Sequence, residues 1–329
     1  METLTETIEK LSVGVASEFR NLSVFPLSLE TQVSPDYLTL DEAIAAGSAR
    51  ANEVSEQGSV PDLSFVNDGS QPVLLLDGEE LVGAKQNRVL NLTIMAPPMT
   101  TITIPVSCVE AGRWARRSRE FRSTERTMYS RGRASKAEQV SMSLASGGGR
   151  RSHQGRVWAD VDDKLAAFQA RSDTSSMSDV YEQERGHLND FVEGLSWTEG
   201  QCGAVFAIDG AIAGLELFDC AETMRKLYSK LVRSYALDAM DHRQGPDTEV
   251  AGGNAGEFLE AVKRSQIRSY EAVGLGEDVR VSDSNLTGGA LIVDGRCVHL
   301  SAFSRRQRRD PSDHRESRMS RASARGRQN

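Results

Sequence analysis

The sequence predicts an α+β protein with a mainly antiparallel sheet, built from hairpins and flanked by helices. Three apolar runs end in Asp-Gly, at Asp77-Gly78, Asp209-Gly210 and Asp294-Gly295, and Asp-Gly between apolar strands is typical of a tight β-hairpin. Helical patterns flank these hairpins near residues 40, 160, 225 and 262. A doubly wound parallel sheet would instead need helical crossovers between successive strands.

The N-terminal third is predicted to form short strands around one helix. Apolar alternation predicts strands between residues 11 and 29, and Thr39-Leu-Asp-Glu42 has the pattern of a capping box ahead of a short helix. Further strands are predicted between Val60 and Val109, broken at Asn67-Asp-Gly-Ser, Asp77-Gly78 and Ala96-Pro-Pro.

Residues 111–156 differ in composition from the segments on either side. Between Ala111 and Lys136 the chain carries a net charge of +7, and a serine- and glycine-rich run follows. This composition predicts an arginine-rich mobile insertion at about 115–155 with weak helical pieces. Its arginines alternate with Phe121 and Tyr129, which favours weak nucleic-acid contact, but a loop that coats the acidic body explains the charge equally well.

The C-terminal part is predicted to be more regular. Helical spacing extends from Val157 to Phe191, and a second helix is predicted from an N-cap at Asp219 to about Ala239. A third is predicted from Glu257 to Val273, closed by Gly274. Residues 1–303 are therefore expected to form a single α+β domain, and residues 304–329, with a net charge of +6, a disordered basic tail.

Composition limits the class of protein. The 329 residues carry a net charge of -8 and contain 39% hydrophobic residues, enough for a sizeable core. The four cysteines lie far apart without a C-x-x-C pair, which excludes a zinc ribbon and predicts buried, reduced thiols. No apolar run approaches the roughly 18 residues that span a bilayer, and METLTETIEKL lacks the features of a signal peptide. We therefore expect a cytoplasmic protein with no membrane partner.

The chain after Asp77-Gly78 is the principal candidate site. The segments after the other two Asp-Gly pairs return as apolar strands, whereas this one is rich in residues that bind or react with polar ligands: Glu79, Glu80, Lys85, Gln86, Asn87, Arg88 and Asn91. If residues 79–88 stay extended, Glu80, Gln86 and Arg88 share one face of the strand, and Glu79, Lys85 and Asn87 share the other. The alternative is an exposed hairpin whose charges only solvate it.

A second candidate segment is Cys108-Val-Glu-Ala-Gly-Arg-Trp114. Glu110, Arg113 and Trp114 could serve as an acid, an anion clamp and a stacking surface, but a structural ion pair beside a core tryptophan fits the spacing as well.

Three other patterns carry weaker signals. Asp238, Asp241 and His242 have helical spacing that could hold a metal, although such a cluster is more often an exposed helix face, and Ala251–Gly256 only partly matches an anion-binding turn. His299 in an apolar strand is interpreted as a core histidine. We therefore predict no metal site, and the sequence leaves any cofactor unknown.

Five segments together resemble one known family. They are GEELVGAKQNRVLN, IPVSCVEAGRW, QGRVW, GAVFAIDG and KLVRSYALDA, in the order found in the ARG and rhodanese-phosphatase superfamily associated protein domain. The resemblance extends from about residue 10 to residue 303. The family name records genomic association with ADP-ribosylglycohydrolases, which implies ADP-ribose or a related NAD-derived or phosphorylated nucleotide as the small-molecule ligand. The family brings no established reaction.

Two functions follow from this resemblance. In the first, the protein is an enzyme, a hydrolase of an ADP-ribose-like nucleotide, with Glu79, Glu80 and Glu110 as catalytic carboxylates. The ligand-binding residues would be Lys85 and Arg88 as the phosphate clamp, Gln86 and Asn87 as readers of the ribose or base, Asn91, and Arg113 and Trp114, which close the pocket. In the second, the protein is a non-catalytic sensor that binds such a ligand or a nucleic acid.

Overall fold

A computed structural model describes residues 2–30, 33–55, 58–115, 118, 120–241 and 254–305. The predicted α+β class is confirmed, with 31% helix and 37% strand, mostly in antiparallel sheets. The helices are α1 Glu2–Glu9, α2 Leu40–Ala45, α3 Ser130–Ala145, α4 Gln154–Ala167, α5 Met177–Gln183, α6 Arg185–Gly194, α7 Ala221–Ala239 and α8 Ala255–Arg264. The strands are β1 Leu11–Val13, β2 Ser17–Phe19, β3 Leu22–Leu29, β4 Leu38–Thr39, β5 Ala49–Glu53, β6 Asp62–Asn67, β7 Val73–Leu75, β8 Glu79–Gly83, β9 Arg88–Leu90, β10 Ile94–Ala96, β11 Thr100–Cys108, β12 Phe121–Thr127, β13 Gln201–Ile208, β14 Ala211–Phe218, β15 Gln266–Glu271, β16 Glu277–Ser282, β17 Leu286–Val293 and β18 Arg296–Ser304.

A large antiparallel sheet forms one half of the fold. Its strand order is β1-β3-β13-β14-β18-β17-β16-β15, with β2 paired to β3. Side chains of a strand alternate between faces, and the central strand β13 is buried along its whole length. Phe206 packs on one face among residues of α4 to α7, while Val205 packs on the other among residues of α1 and α8.

Two of the three predicted Asp-Gly hairpins are confirmed. Asp209-Gly210 joins β13 to β14, and Asp294-Gly295 joins β17 to β18. Both residues of each pair have positive φ, at 53° and 80° in the first hairpin and 49° and 72° in the second. This is the conformation that a type I′ turn requires.

The predicted hairpin at Asp77-Gly78 is wrong. Strand β7 pairs with β10 and β4 in a small sheet, whereas β8 belongs to a closed barrel of order β11-β6-β5-β12-β8-β9. Gly78 alone of the pair has positive φ, at 82°. The carboxylate of Asp77 accepts hydrogen bonds from Arg133 and Lys136, so the turn connects two sheets at a buried ionic contact.

The polar segment forms its own hairpin within the barrel. Strand β8 pairs with β9, with Glu80 opposite Val89 and Leu81 opposite Arg88. Positive φ at Gly83 (136°) and Ala84 (39°) turns the chain before residues 85–87. The segment is therefore not extended throughout, and the two-faced arrangement predicted for a continuous strand does not form.

The arginine-rich segment predicted to be a mobile loop with weak helical pieces contains regular structure. Residues 121–127 form β12 and residues 130–145 form α3, which packs against β17 and β18. Arg133 and Lys136 are fully buried, and their charges pair with Asp77 and Glu216. The composition of this segment predicted a solvated loop, because composition does not show which carboxylates, distant in sequence, pair with these basic residues in the interior.

Helix ends were predicted with mixed success. The capping box at Thr39 is confirmed, since Glu42 N donates to Thr39 Oγ1 at 3.4 Å and Thr39 N donates to Glu42 Oε2 at 2.9 Å. The N-cap of α7 is Cys220 rather than Asp219. The helix predicted to reach Val273 ends at Arg264, and β15 follows.

Gly274 marks a close approach of two chain segments rather than a helix end. A side chain there would overlap the main-chain carbonyl of Met95, and Leu275 N donates to that same oxygen at 2.8 Å. A β-carbon at position 274 therefore requires the backbone to shift.

The four cysteines are free and buried, as predicted. Within the described part of the chain, no helix is both long and apolar enough to cross a membrane. The predicted tail lies outside the described residues from position 306 onward, as do His242 and residues 251–253.

Candidate functional site

The structure brings the two predicted site segments into contact. The loop between β8 and β9 packs against residues 110–114. Asn87 N donates to Glu110 Oε2 at 3.0 Å, and Gln86 Nε2 donates to the Glu110 carbonyl at 2.9 Å. Arg113 Nη2 donates to Asn87 Oδ1 at 3.1 Å. The two segments, which were singled out in the sequence for their polar side chains alone, are therefore neighbours in the fold.

Arg113 and Glu110 form a buried pair that satisfies both side chains. Arg113 Nε and Nη2 lie 2.8 and 2.6 Å from the two carboxylate oxygens. The remaining guanidinium donors bond to the carbonyls of Gly83, Ala84 and Ala115. Burial alone would raise the pKa of Glu110, but hydrogen bonds, chiefly from Arg113, hold that pKa below its ordinary value. Arg113 thus fixes the loop and has no donor left for an anion.

The other two predicted catalytic carboxylates also have partners inside the protein. Glu80 Oε2 accepts from Arg126 Nε at 2.9 Å, and its Oε1 accepts from Ser178 Oγ at 2.7 Å. Burial raises the pKa of Glu80 against the opposing effect of Arg126. Glu79 Oε1 accepts from Lys230 Nζ at 2.6 Å. Both glutamates are at most 1% exposed.

Asn87 and Asn91 are likewise buried and occupied. Asn87 Nδ2 donates to Ser178 Oγ at 3.1 Å. Asn91 Nδ2 donates to the Arg150 carbonyl at 3.0 Å, and Asn91 Oδ1 accepts from Ser107 at 2.5 Å. These amides hold the loop and neighbouring segments in place.

Arg88 differs from all of these residues. It is 0% exposed, yet Nε and Nη2 have no hydrogen-bond partner, and only Nη1 donates, to Gln86 Oε1 at 3.1 Å and weakly to the Asn87 carbonyl. Burial lowers the pKa of Arg88, and the nearby Glu53 carboxylate opposes this effect only in part. The guanidinium is thus a buried cation with unused donors.

Lys85 and Trp114 lie beside Arg88. The Trp114 indole is 49% exposed, with Lys85 Nζ 5.2 Å and the Arg88 guanidinium carbon 5.9 Å from its ring centroid. Glu53 completes this group, since its Oε1 accepts from Lys85 N at 3.4 Å and its buried Oε2 has no hydrogen-bond partner. We call Glu53, Lys85, Arg88 and Trp114 the Trp114 corner.

Sequence reasoning found three members of the Trp114 corner and missed Glu53. Glu53 ends β5, a strand distant in sequence from both candidate segments, and a single glutamate there carries no signal. Ser178 and Arg126, which hold Glu80, were missed for the same reason. Only the packing of the barrel, and of α5 against it, brings them together.

No group of three or more histidine, cysteine, aspartate or glutamate residues in the described ranges could hold a metal ion. Asp238 and Asp241 instead both accept from Lys164 Nζ, at 2.7 and 2.9 Å. His299 is fully buried between Thr93 and Glu216, which agrees with its interpretation as a core histidine.

The fold defines an α+β protein that joins a closed six-stranded barrel to a nine-stranded antiparallel sheet. The chain belongs to the ARG and Rhodanese-Phosphatase-superfamily-associated Protein domain family, whose model matches residues 10–303. The resemblance inferred from five motifs is confirmed. No curated protein and no solved structure matches the chain.

Proposed function

We propose that this protein binds a phosphorylated nucleotide of the ADP-ribose type at the Trp114 corner. The observation that carries the proposal is Arg88, a fully buried guanidinium with two nitrogens that lack partners. A buried donor without an acceptor costs about 1–3 kcal/mol, and natural proteins retain such costs mainly at functional sites. An acceptor supplied by a ligand offsets that cost.

The chemistry of the Trp114 corner suits the parts of a nucleotide. Arg88 and Lys85 are donors of the kind that bind phosphate oxygens. The half-exposed Trp114 indole offers a face on which a base can stack. The unpartnered oxygen of Glu53 is an acceptor for a ribose hydroxyl or an amine.

The geometry favours binding over hydrolysis. A general acid or base must come within hydrogen-bond reach of the reacting atom, and Glu79, Glu80 and Glu110 are each engaged by a basic side chain of the protein. The non-catalytic sensor is therefore the better-supported of the two functions. The hydrolase stays a prediction that turnover measurements can test.

We further propose a cytoplasmic location, supported by the four free cysteines, since oxidising compartments favour disulfides. Nucleic-acid contact through the basic segment gains little support, because Arg133 and Lys136 are fully buried in internal ion pairs. For the tail, such contact stays a prediction.

Isothermal titration with ADP-ribose tests the proposal. Lys85→Gln and Trp114→Ala should each weaken binding about tenfold, the loss expected for one charged contact or one stacked base. Lys263→Gln removes a lysine of α8 that pairs with Glu260 and with Glu9 of α1, and not with any residue of the Trp114 corner, so this variant should bind like the wild type. The proposal is wrong if ADP-ribose does not bind or if both corner variants retain wild-type affinity. Release of products from bound ADP-ribose would instead support the hydrolase.

A further inference from the structure

A second polar concavity is lined in part by Arg126, the residue that pairs with Glu80. Three arginines from three elements line it: Arg126 of β12, Arg185 of α6 and Arg233 of α7. Its volume is about 140 Å³, smaller than the roughly 300–1,000 Å³ typical of pockets for whole drug-sized ligands. We call it the arginine cleft.

The arginines of the cleft are positioned by the fold to different degrees. Arg126 is held from behind by Glu80, at 2.9 Å, and Arg233 Nη2 donates to Asn189 Oδ1 at 3.1 Å. Both side chains are less than one-fifth exposed. Arg185 is 72% exposed and can reach a ligand without disturbing the core.

In the unliganded protein, two exposed glutamates form ion pairs with these guanidinium groups. Glu182 contacts both Arg126 and Arg185, and Glu125 lies 3.5 Å from Arg233. The two carboxylates are 55% and 80% exposed, and ion pairs at the surface contribute only about 0–1 kcal/mol. Little free energy therefore opposes their rotation into solvent when a stronger acceptor arrives.

From this geometry we infer that the arginine cleft is a second anion site that binds a single phosphate group, either inorganic phosphate or the end of a phosphomonoester. Phosphate matches guanidinium groups through paired, charge-assisted hydrogen bonds. The carboxylates of Glu182 and Glu125 hold the places of its oxygens in the unliganded protein. This site is independent of the nucleotide proposed at the Trp114 corner.

Titration at low ionic strength, where exposed charges are least screened, tests this site. Inorganic phosphate and glycerol phosphate are titrated separately into Lys85→Gln protein, which weakens any competing phosphate binding at the Trp114 corner. Saturable binding with one site per chain is expected, and the tighter of the two ligands identifies whether free phosphate or an ester is preferred.

Substitutions in the same background locate the bound phosphate. Arg185→Gln should weaken binding about tenfold, the loss expected for one charge-assisted contact. Glu182→Gln should strengthen it, because a competing carboxylate is removed. The matched control is Arg264→Gln, since Arg264 is 77% exposed and lies 3.9 Å from Glu260, as Arg185 lies 3.9 Å from Glu182.

The inference is overturned if Lys85→Gln protein binds no phosphate, or if Arg185→Gln and Arg264→Gln bind it equally well. Binding by the wild type alone would assign the phosphate to the Trp114 corner, so the cleft would fail while the proposed function stood. Because Arg185 is largely exposed, misfolding of its variant is not expected, and circular dichroism checks this.

Discussion

Arg88→Met should leave the unliganded protein at least as stable as the wild type, although it removes a fully buried charge. Two guanidinium nitrogens of Arg88 have no partner, and leaving both groups unpaired costs roughly 2–6 kcal/mol. The substitution removes the Nη1 bond to Gln86, worth roughly 1 kcal/mol, and leaves an amide oxygen unpaired at roughly 1–3 kcal/mol. The midpoints of these ranges, about 4 kcal/mol gained and about 3 kcal/mol lost, predict a free energy of unfolding raised by roughly 1 kcal/mol.

Arg133→Met is the matched control, because Arg133 is equally buried but fully engaged. It donates to both carboxylate oxygens of Glu216, at 2.6 and 3.1 Å, and to Asp77. Removing one member of a buried ion pair costs about 3–5 kcal/mol. Urea unfolding of both variants without ligand gives the comparison. If Arg88→Met destabilises the protein as much as Arg133→Met, Arg88 is a structural residue and its unused donors are no sign of a ligand.

Three further predictions concern the buried charges and one close backbone approach. Lys230→Met should lower the free energy of unfolding by about 3–5 kcal/mol, because Lys230 is buried and joins Glu79 and Asp41. Lys226→Met removes only partly exposed ion pairs and should lower it by at most about 1 kcal/mol. Equal losses for the two variants in urea titrations would contradict this. Gly274→Ala should lower the melting temperature and the free energy of unfolding, the latter by about 1–3 kcal/mol. At Gly186 an added β-carbon meets open space, so Gly186→Ala should change the free energy of unfolding by less than about 1 kcal/mol. Burial alone would raise the pKa of Asp238, but its partners, chiefly Lys164, hold that pKa below the ordinary value. The ionised carboxylate therefore stabilises the folded protein. The difference in free energy of unfolding between wild type and Asp238→Asn should be full above about pH 4 and should shrink as the pH falls through the folded pKa. A difference in free energy of unfolding that stays constant from pH 6 to pH 3 would refute the lowered pKa of Asp238.

Local turn chemistry predicted much of the large sheet but failed at the first Asp-Gly pair. Asp209-Gly210 and Asp294-Gly295 form hairpins because each lies between two strands that pair with each other. Asp77-Gly78 has the same two residues, yet Asp77 is bound by Arg133 and Lys136. Partners more than fifty residues away in the chain decided its role, and no local pattern contains them.

The mobile loop predicted from the charge composition of the arginine-rich segment was wrong for a related reason. A run of basic residues is usually solvated, so a loop was predicted where β12 and α3 form. Arg133 and Lys136 of α3 are buried because carboxylates of the barrel turn and the large sheet face them. The sequence shows the charges but not which opposite charges they meet.

For the candidate site, chemistry predicted the region but not the roles of its residues. The polar segment after Gly78 and the segment at Glu110–Trp114 do meet. However, the predicted carboxylates and Arg113 are saturated by internal partners, whereas Arg88 keeps unused donors and Trp114 keeps exposed surface. Whether a polar residue is free or engaged depends on tertiary contacts, which its sequence neighbours do not determine.

A crystal structure of the protein grown with ADP-ribose tests the central claim most directly. Binding at the Trp114 corner predicts a ligand oxygen within hydrogen-bond distance of Arg88 Nη2 or Nε, with the base or ribose against the Trp114 indole. A structure in which ADP-ribose lies elsewhere, while the Arg88 nitrogens bond only to protein groups, would contradict it.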